Sequence, residues 1–119
     1  MISIWNNHTQ TIGAVIEWFN PNCKGDPWEK AGWYVIEPGT TKQVWRGNHN
    51  FNRFWYGFVF AVDGRKWTGN FPETVPPQAF QWCRTISSST SESVGMFEKD
   101  AAGSGSNWVW AFGEVIPIP

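Results

Sequence analysis

The stretch Phe54-Trp55-Tyr56-Gly57-Phe58-Val59-Phe60-Ala61-Val62-Asp63-Gly64 decides the fold class. Phe54 to Val62 carries no charge and is rich in aromatic and β-branched residues, which suits a central strand buried on both faces. Asp63-Gly64 follows directly and favours a tight hairpin, because both residues tolerate the positive φ such turns need. Arg65 to Thr68 is then the return strand. Neighbouring residues of a strand point to opposite faces, so Trp55 must oppose Tyr56.

Upstream, Lys42 to Arg46 is a short strand, closed by Gly47-Asn48-His49-Asn50. Pro38-Gly39 marks a type II turn, with proline setting φ and glycine taking φ > 0. It ends a strand over Gly32 to Glu37, where Trp33 must oppose Tyr34. Asn20-Pro21-Asn22 and Lys24-Gly25-Asp26-Pro27 form a polar loop. Thr11 to Phe19 is a strand with Ile12, Ala14, Ile16 and Trp18 on one face and Gly13 marking a bulge or a close backbone approach. Ile2 to Trp5 is the opening strand, followed by a turn at Asn6-Asn7-His8.

Downstream, Gly69-Asn70-Phe71-Pro72 and Pro76-Pro77 bracket an irregular stretch. Ala79 to Ile86 is a strand, and Ser87 to Ser91 a polar connection. Val94 to Glu98 and Asn107 to Val115 make a final pair, and Pro117-Ile118-Pro119 cannot continue a ladder. No window carries a helical period of adequate length. The expectation is an all-β fold, one domain over residues 1–119, as a small antiparallel β-sandwich or flattened barrel of about eight or nine strands.

Ten of the 119 residues are tryptophan. Each ring can bury roughly 150–250 Å², worth roughly 4–6 kcal/mol before entropy is charged. A few buried rings fill most of a core this small, and the remainder point to a surface role. The net charge of −1 lacks the basic face that nucleic acid requires. No segment has the roughly 20 apolar residues of a membrane span. Met1 leads straight into a strand with no visible signal peptide, which fits either synthesis in the cytosol, with later release open, or a mature form whose leader was removed and a new Met added.

Candidate chemistry is sparse. His8, His49, Cys23 and Cys83 show no short metal-ligand spacing, so no metal and no cofactor is expected. Cys23 and Cys83 are equally readable as two thiols or as one disulfide. No nucleophile elbow or Cys/His setting is visible. Asp26 with Glu29, or Glu17 with Glu37, could pair as carboxyls, but the surface reading of these acids is preferred. Asn7-His8-Thr9 fits a glycosylation acceptor and is read as a turn. The protein is therefore expected not to be an enzyme.

Trp28, Trp45 and Trp67 fall at predicted strand ends or loops. With Asn48 and Asn50 they are the candidate ligand-binding residues. An indole face covers the CH side of a sugar while amides take its hydroxyls. The same rings suit lipid headgroups, and as caps over the sandwich ends they need no ligand.

Three segments resemble the uncharacterised bacterial domain-of-unknown-function family 1036. They are Trp5-Asn6-Asn7 with Ile12-Gly13-Ala14-Val15-Ile16, then Trp28-Glu29-Lys30-Ala31-Gly32-Trp33-Tyr34 through Pro38-Gly39, and Phe54-Trp55-Tyr56 with Trp67-Thr68-Gly69. Trp5 and Thr41 stand where that family often has cysteines, so its disulfide pattern is not carried over. The resemblance implies a fold and no activity. In size and aromatic content the chain is also similar to small β-sandwich toxins, such as fungal aegerolysins and compact bacterial insecticidal proteins. The expected function is recognition through exposed tryptophans, with carbohydrate the favoured ligand. A membrane-active toxin or toxin component is the alternative. The expected partner is a glycan or lipid surface, with homo-oligomerisation left open.

Overall fold

The computed structural model describes residues 1–113. Among the described residues ten strands run in chain order as β1 (Ile2–Asn6), β2 (Ile12–Phe19), β3 (Trp28–Ile36), β4 (Thr41–Trp45), β5 (Phe54–Ala61), β6 (Lys66–Trp67), β7 (Phe71–Val75), β8 (Phe80–Cys83), β9 (Glu92–Asp100) and β10 (Trp108–Phe112). A single 3-10 turn, His49–Phe51, separates β4 from β5. The small sheet has the order β10-β1-β4, and the larger sheet β7-β9-β5-β2-β3-β8, with β6 paired to β5. The larger sheet curls into a half-barrel, so that β7 approaches β3 across its concave side. The all-β sandwich or flattened barrel is thus present.

The decisive stretch forms the expected central strand, but it is not buried on both faces throughout: Phe54 and Phe60 are exposed on the concave side, and Val62 lies beyond its end. β5 is central, with β2 along one side and β9 then β6 along the other. Gly64 takes φ of 96°, and the Ala61 amide donates to the Arg65 carbonyl at 2.8 Å to close the hairpin. Trp55 is buried between the two sheets while Tyr56 faces the concave side, and Tyr34 and Trp33 divide the same way. Ile12, Ala14, Ile16 and Trp18 of β2 pack against Ile2 and Ile4 of β1, with Trp110 and Phe112 of β10 in the same core.

Four sequence expectations need correction. The fold is not wholly antiparallel, because β1 and β10 pair in parallel from Ile2↔Trp108 to Asn6↔Phe112. Parallel neighbours need a long crossover, and nearly the whole domain serves as one. β7 lies inside the stretch expected to be irregular. Pro72 is tolerated there because β7 pairs on one side only, at the sheet's edge. β3 begins at Trp28 and not at Gly32, since Glu29 and Lys30 find partners within the fold. β9 runs from Glu92 to Asp100, longer than expected at both ends. The readings at residue 114 and beyond, including the end of the last strand and the proline tail, lie outside the described residues.

Cys23 and Cys83 form a disulfide, with Cα atoms 5.6 Å apart and a sequence separation of 60. It pins the polar loop after β2 to the end of β8, beside the sheet edge where the first candidate site lies.

Candidate functional site

Three features stand out: a cleft beside the small sheet, a trough at the mouth of the half-barrel, and a layer of buried charge between the concave walls.

The cleft encloses about 280 Å³ between the end of β4 with its 3-10 turn and the edge formed by β2, β3 and β8. Trp18, Trp45, Phe51 and Phe19 supply its rings. Trp45 is half-buried and lies edge-on to Trp18 and Trp55, with ring centroids 4.9 and 5.0 Å away. Phe51 is tilted 31° against Trp45 and is 54% exposed, so one ring face meets solvent. The polar wall is Asn20, Glu29 and Gln81. The Asn20 amide donates to Glu29 Oε1 at 2.6 Å, and the Gln81 amide donates to Oε2 at 2.7 Å. Both carboxylate oxygens are thereby oriented, and each keeps a further lone pair for a hydroxyl donor.

The trough is larger, about 540 Å³. Trp33, Phe58, Phe60 and Val75 form its walls, with Pro76 and Pro77 alongside. The Trp33 indole N–H donates to the Pro76 carbonyl at 2.8 Å, which closes β3 against the end of β7.

Deeper in the half-barrel, strand register sets Glu98, Tyr56, Glu17, Lys30 and Trp82 side by side across five strands. Lys30 is fully buried; its ammonium reaches Glu73 Oε1 at 3.2 Å and the Thr74 backbone carbonyl of β7. Arg84 Nε approaches Glu73 Oε2 at 2.7 Å and Glu17 Oε1 at 3.8 Å. Burial, the hydrogen bond to Glu73 and the Glu73 charge push the Glu17 carboxyl up to about 9, against the pull of Arg84 and Lys30. Burial also opposes ionisation of Glu73. The contacts from Glu17, the Thr74 amide and Lys30 outweigh it and hold Glu73 below the usual carboxylate range. The two acids share one proton at neutral pH, with Glu17 its holder. Such a pair could in principle serve acid–base chemistry. These two side chains, however, are each 6% exposed, and neither lines the cleft or the trough. Their visible work is to tie β2, β3 and β7 together.

The carboxyl pairing differs from both pairs considered in the sequence. Glu17 meets Glu73 and not Glu37, which accepts a hydrogen bond from the Thr11 hydroxyl at 3.0 Å. Asp26 faces Arg84 at 3.7 Å, while Glu29 belongs to the cleft. One further contact has a catalytic look, with His49 Nε2 2.7 Å from Ser104 Oγ. The other ring nitrogen, Nδ1, faces the Met1 ammonium at 2.9 Å and must accept from it. Nε2 therefore carries the proton and donates to Ser104, the reverse of what activates a serine.

The five predicted ligand residues do not converge. Trp45 lines the cleft. Trp28 opens β3 on the concave side, edge-on to Phe19 and Tyr56. Trp67 ends β6, packed on Phe112 and His8 with the Arg65 guanidinium over its ring. Asn48 Oδ1 caps the 3-10 turn by accepting the Asn50 amide, and the Asn50 side chain donates to the Gly105 carbonyl. All three tryptophans are half-buried, and the most exposed of the ten is Trp5, on the outer face of β1. Sequence reading weighed Glu29 only as a partner of Asp26 and missed Asn20 and Gln81, which three separate elements bring together with it.

Comparison with family models, with curated proteins and with solved structures returned no match to the chain.

Proposed function

We propose that the protein is a non-catalytic recognition module that takes a carbohydrate at the cleft between Phe51 and Glu29. One observation carries this reading: an exposed ring face stands beside a carboxylate whose two oxygens are already oriented by amides. Sugars present an apolar CH face and an edge of hydroxyls, and this cleft offers a counterpart to each. Preorganised acceptors lower the ordering cost of binding. The reading keeps Trp45 as the ring that backs Phe51. It moves the polar partners from Asn48 and Asn50 to Asn20, Glu29 and Gln81. The Cys23–Cys83 bridge fits a working environment where disulfides persist.

The test is a glycan array followed by calorimetric titration of the best ligand. Glu29→Ala should weaken binding about tenfold or more, since bonds to a charged acceptor are worth roughly 1.5–3 kcal/mol, and Phe51→Ala should weaken it through loss of the ring that covers the sugar's CH face. The idea is lost if no glycan binds, or if both variants bind as well as the parent. Flotation with vesicles, in the absence of glycan binding, would transfer support to the membrane-active alternative.

A further inference from the structure

We infer that the trough at the mouth of the half-barrel is a second binding site, built for a small amphipathic carboxylate with an acyl or aryl body and one anionic end. It does not depend on the cleft.

The volume, about 540 Å³, lies within the roughly 300–1,000 Å³ of small-molecule sites, which favour the mouths of β-barrels. The walls are preformed. Trp33 is held by Pro76 and sits edge-on to Phe58 and Phe60, with centroids 6.0 and 5.4 Å away. The floor is solid, because Phe58 and Val75 belong to a buried cluster with Val15, Phe80 and Met96. Gly13 gives the trough its depth. It pairs with Phe60, and a Cβ added there would stand 3.0 Å from the ring, which would have to give by a few tenths of an ångström.

The lining selects the chemistry of the ligand. The Trp33 N–H is already bonded, so the walls offer carbon surface and suit an apolar body. Val62, 66% exposed, extends that surface to the rim. The charged lining residues are Lys66 and Glu92. Lys66 stands directly opposite Phe60 in the β5–β6 register and makes no ion pair among the described residues. Glu92 opposes Val75 on the β7–β9 side. A carboxylate therefore points to Lys66, its body lies over Phe60 and Trp33, and Glu92 repels the opposite orientation.

The experiment titrates the full chain with decanoate, decanol and decyltrimethylammonium, all below their micellar concentrations, following tryptophan fluorescence and amide chemical shifts. Decanoate should bind one to one and shift resonances of β2, β5 and β6. Lys66→Glu, at an exposed position, should weaken decanoate about tenfold and leave decanol within about twofold. Gly13→Ala should weaken all ligands. Should that central-strand variant fail to fold, Phe60→Ala removes the wall instead and should give the same loss. The inference falls if decanoate does not bind, if decanol or the ammonium binds as tightly, or if Lys66→Glu changes nothing. It falls also if only phosphatidylcholine vesicles engage the trough, or if a second copy of the chain occupies it and decanoate does not displace that copy.

Discussion

Toward the small sheet, β2 presents Ile12, Ala14, Ile16 and Trp18. Toward the concave side the same strand presents Gly13, Val15, Glu17 and Phe19. The first set meets other apolar side chains, and its stability follows from shape and area alone. The second set meets an open trough, an apolar plug and a layer of charge. Alternate residues of one strand thus serve two regimes. One is packed from apolar side chains. In the other, Lys30, Glu73, Glu17 and Arg84 hold β7 against β3 by electrostatics. A half-barrel needs such ties because its edges, unlike those of a closed barrel, have no ladder to join them.

The contrast can be broken most severely at Lys30. Lys30→Met removes the cation that balances buried carboxylates and should cost about 3–5 kcal/mol in urea denaturation, with the loss localised by hydrogen exchange to β7 and β3. An equal loss of protection across the small sheet would contradict that division. Next in size, replacing both cysteines with alanine should cost about 2–4 kcal/mol, and it should loosen the loop bearing Asn20 before either core.

A smaller effect sharpens the difference through pH. Glu17 holds its proton in the fold up to about 9, against 4.5 for an ordinary glutamate. Between those values the unfolded chain has lost that proton while the folded chain keeps it. The stabilisation from this group is therefore complete below about 4.5 and declines as pH rises through about 9. Glu73, shifted downward, has the opposite sign and loses its contribution as pH falls below its usual range. Glu17→Gln should flatten the alkaline decline in melts taken from pH 5 to 9, since its amide can still donate to Glu73. A decline as steep as the parent's would refute the shared proton. Smallest of all, Ile4→Val in the dry core should cost about 1 kcal/mol, with the same value at every pH tested.

Where local pattern decides structure, the sequence was readable. The alternation of β2, the central place of β5 and the Asp63-Gly64 hairpin all appear as expected, and so do the opposed pairs Trp55/Tyr56 and Trp33/Tyr34, while the full burial of β5 gives way where Phe60 meets the trough. What stayed hidden depends on partners far along the chain. Lys30 looks like a surface residue until β7, more than forty residues later, supplies Glu73 and Thr74. β7 itself is disguised by Pro72 and by Pro76-Pro77. The parallel pairing of β1 with β10 has no local signal. In the cleft, Trp45 could be singled out from its place at a strand end. Glu29 could not, because its donors come from the end of β2 and from β8, and no spacing rule links the three.

The parallel pairing also shapes the order in which the molecule can be built. β1 is synthesised before every other strand of the domain, yet its neighbours are β4 and β10. During translation its apolar Ile2 and Ile4 must wait until residue 112 has left the ribosome before both flanks are covered. Contacts this distant in sequence slow folding and prolong exposure of an unpaired edge. The first segment made is among the last to be sheltered, so a chain stalled before Trp108 would present β1 as a ready docking edge for a chaperone or for another nascent copy.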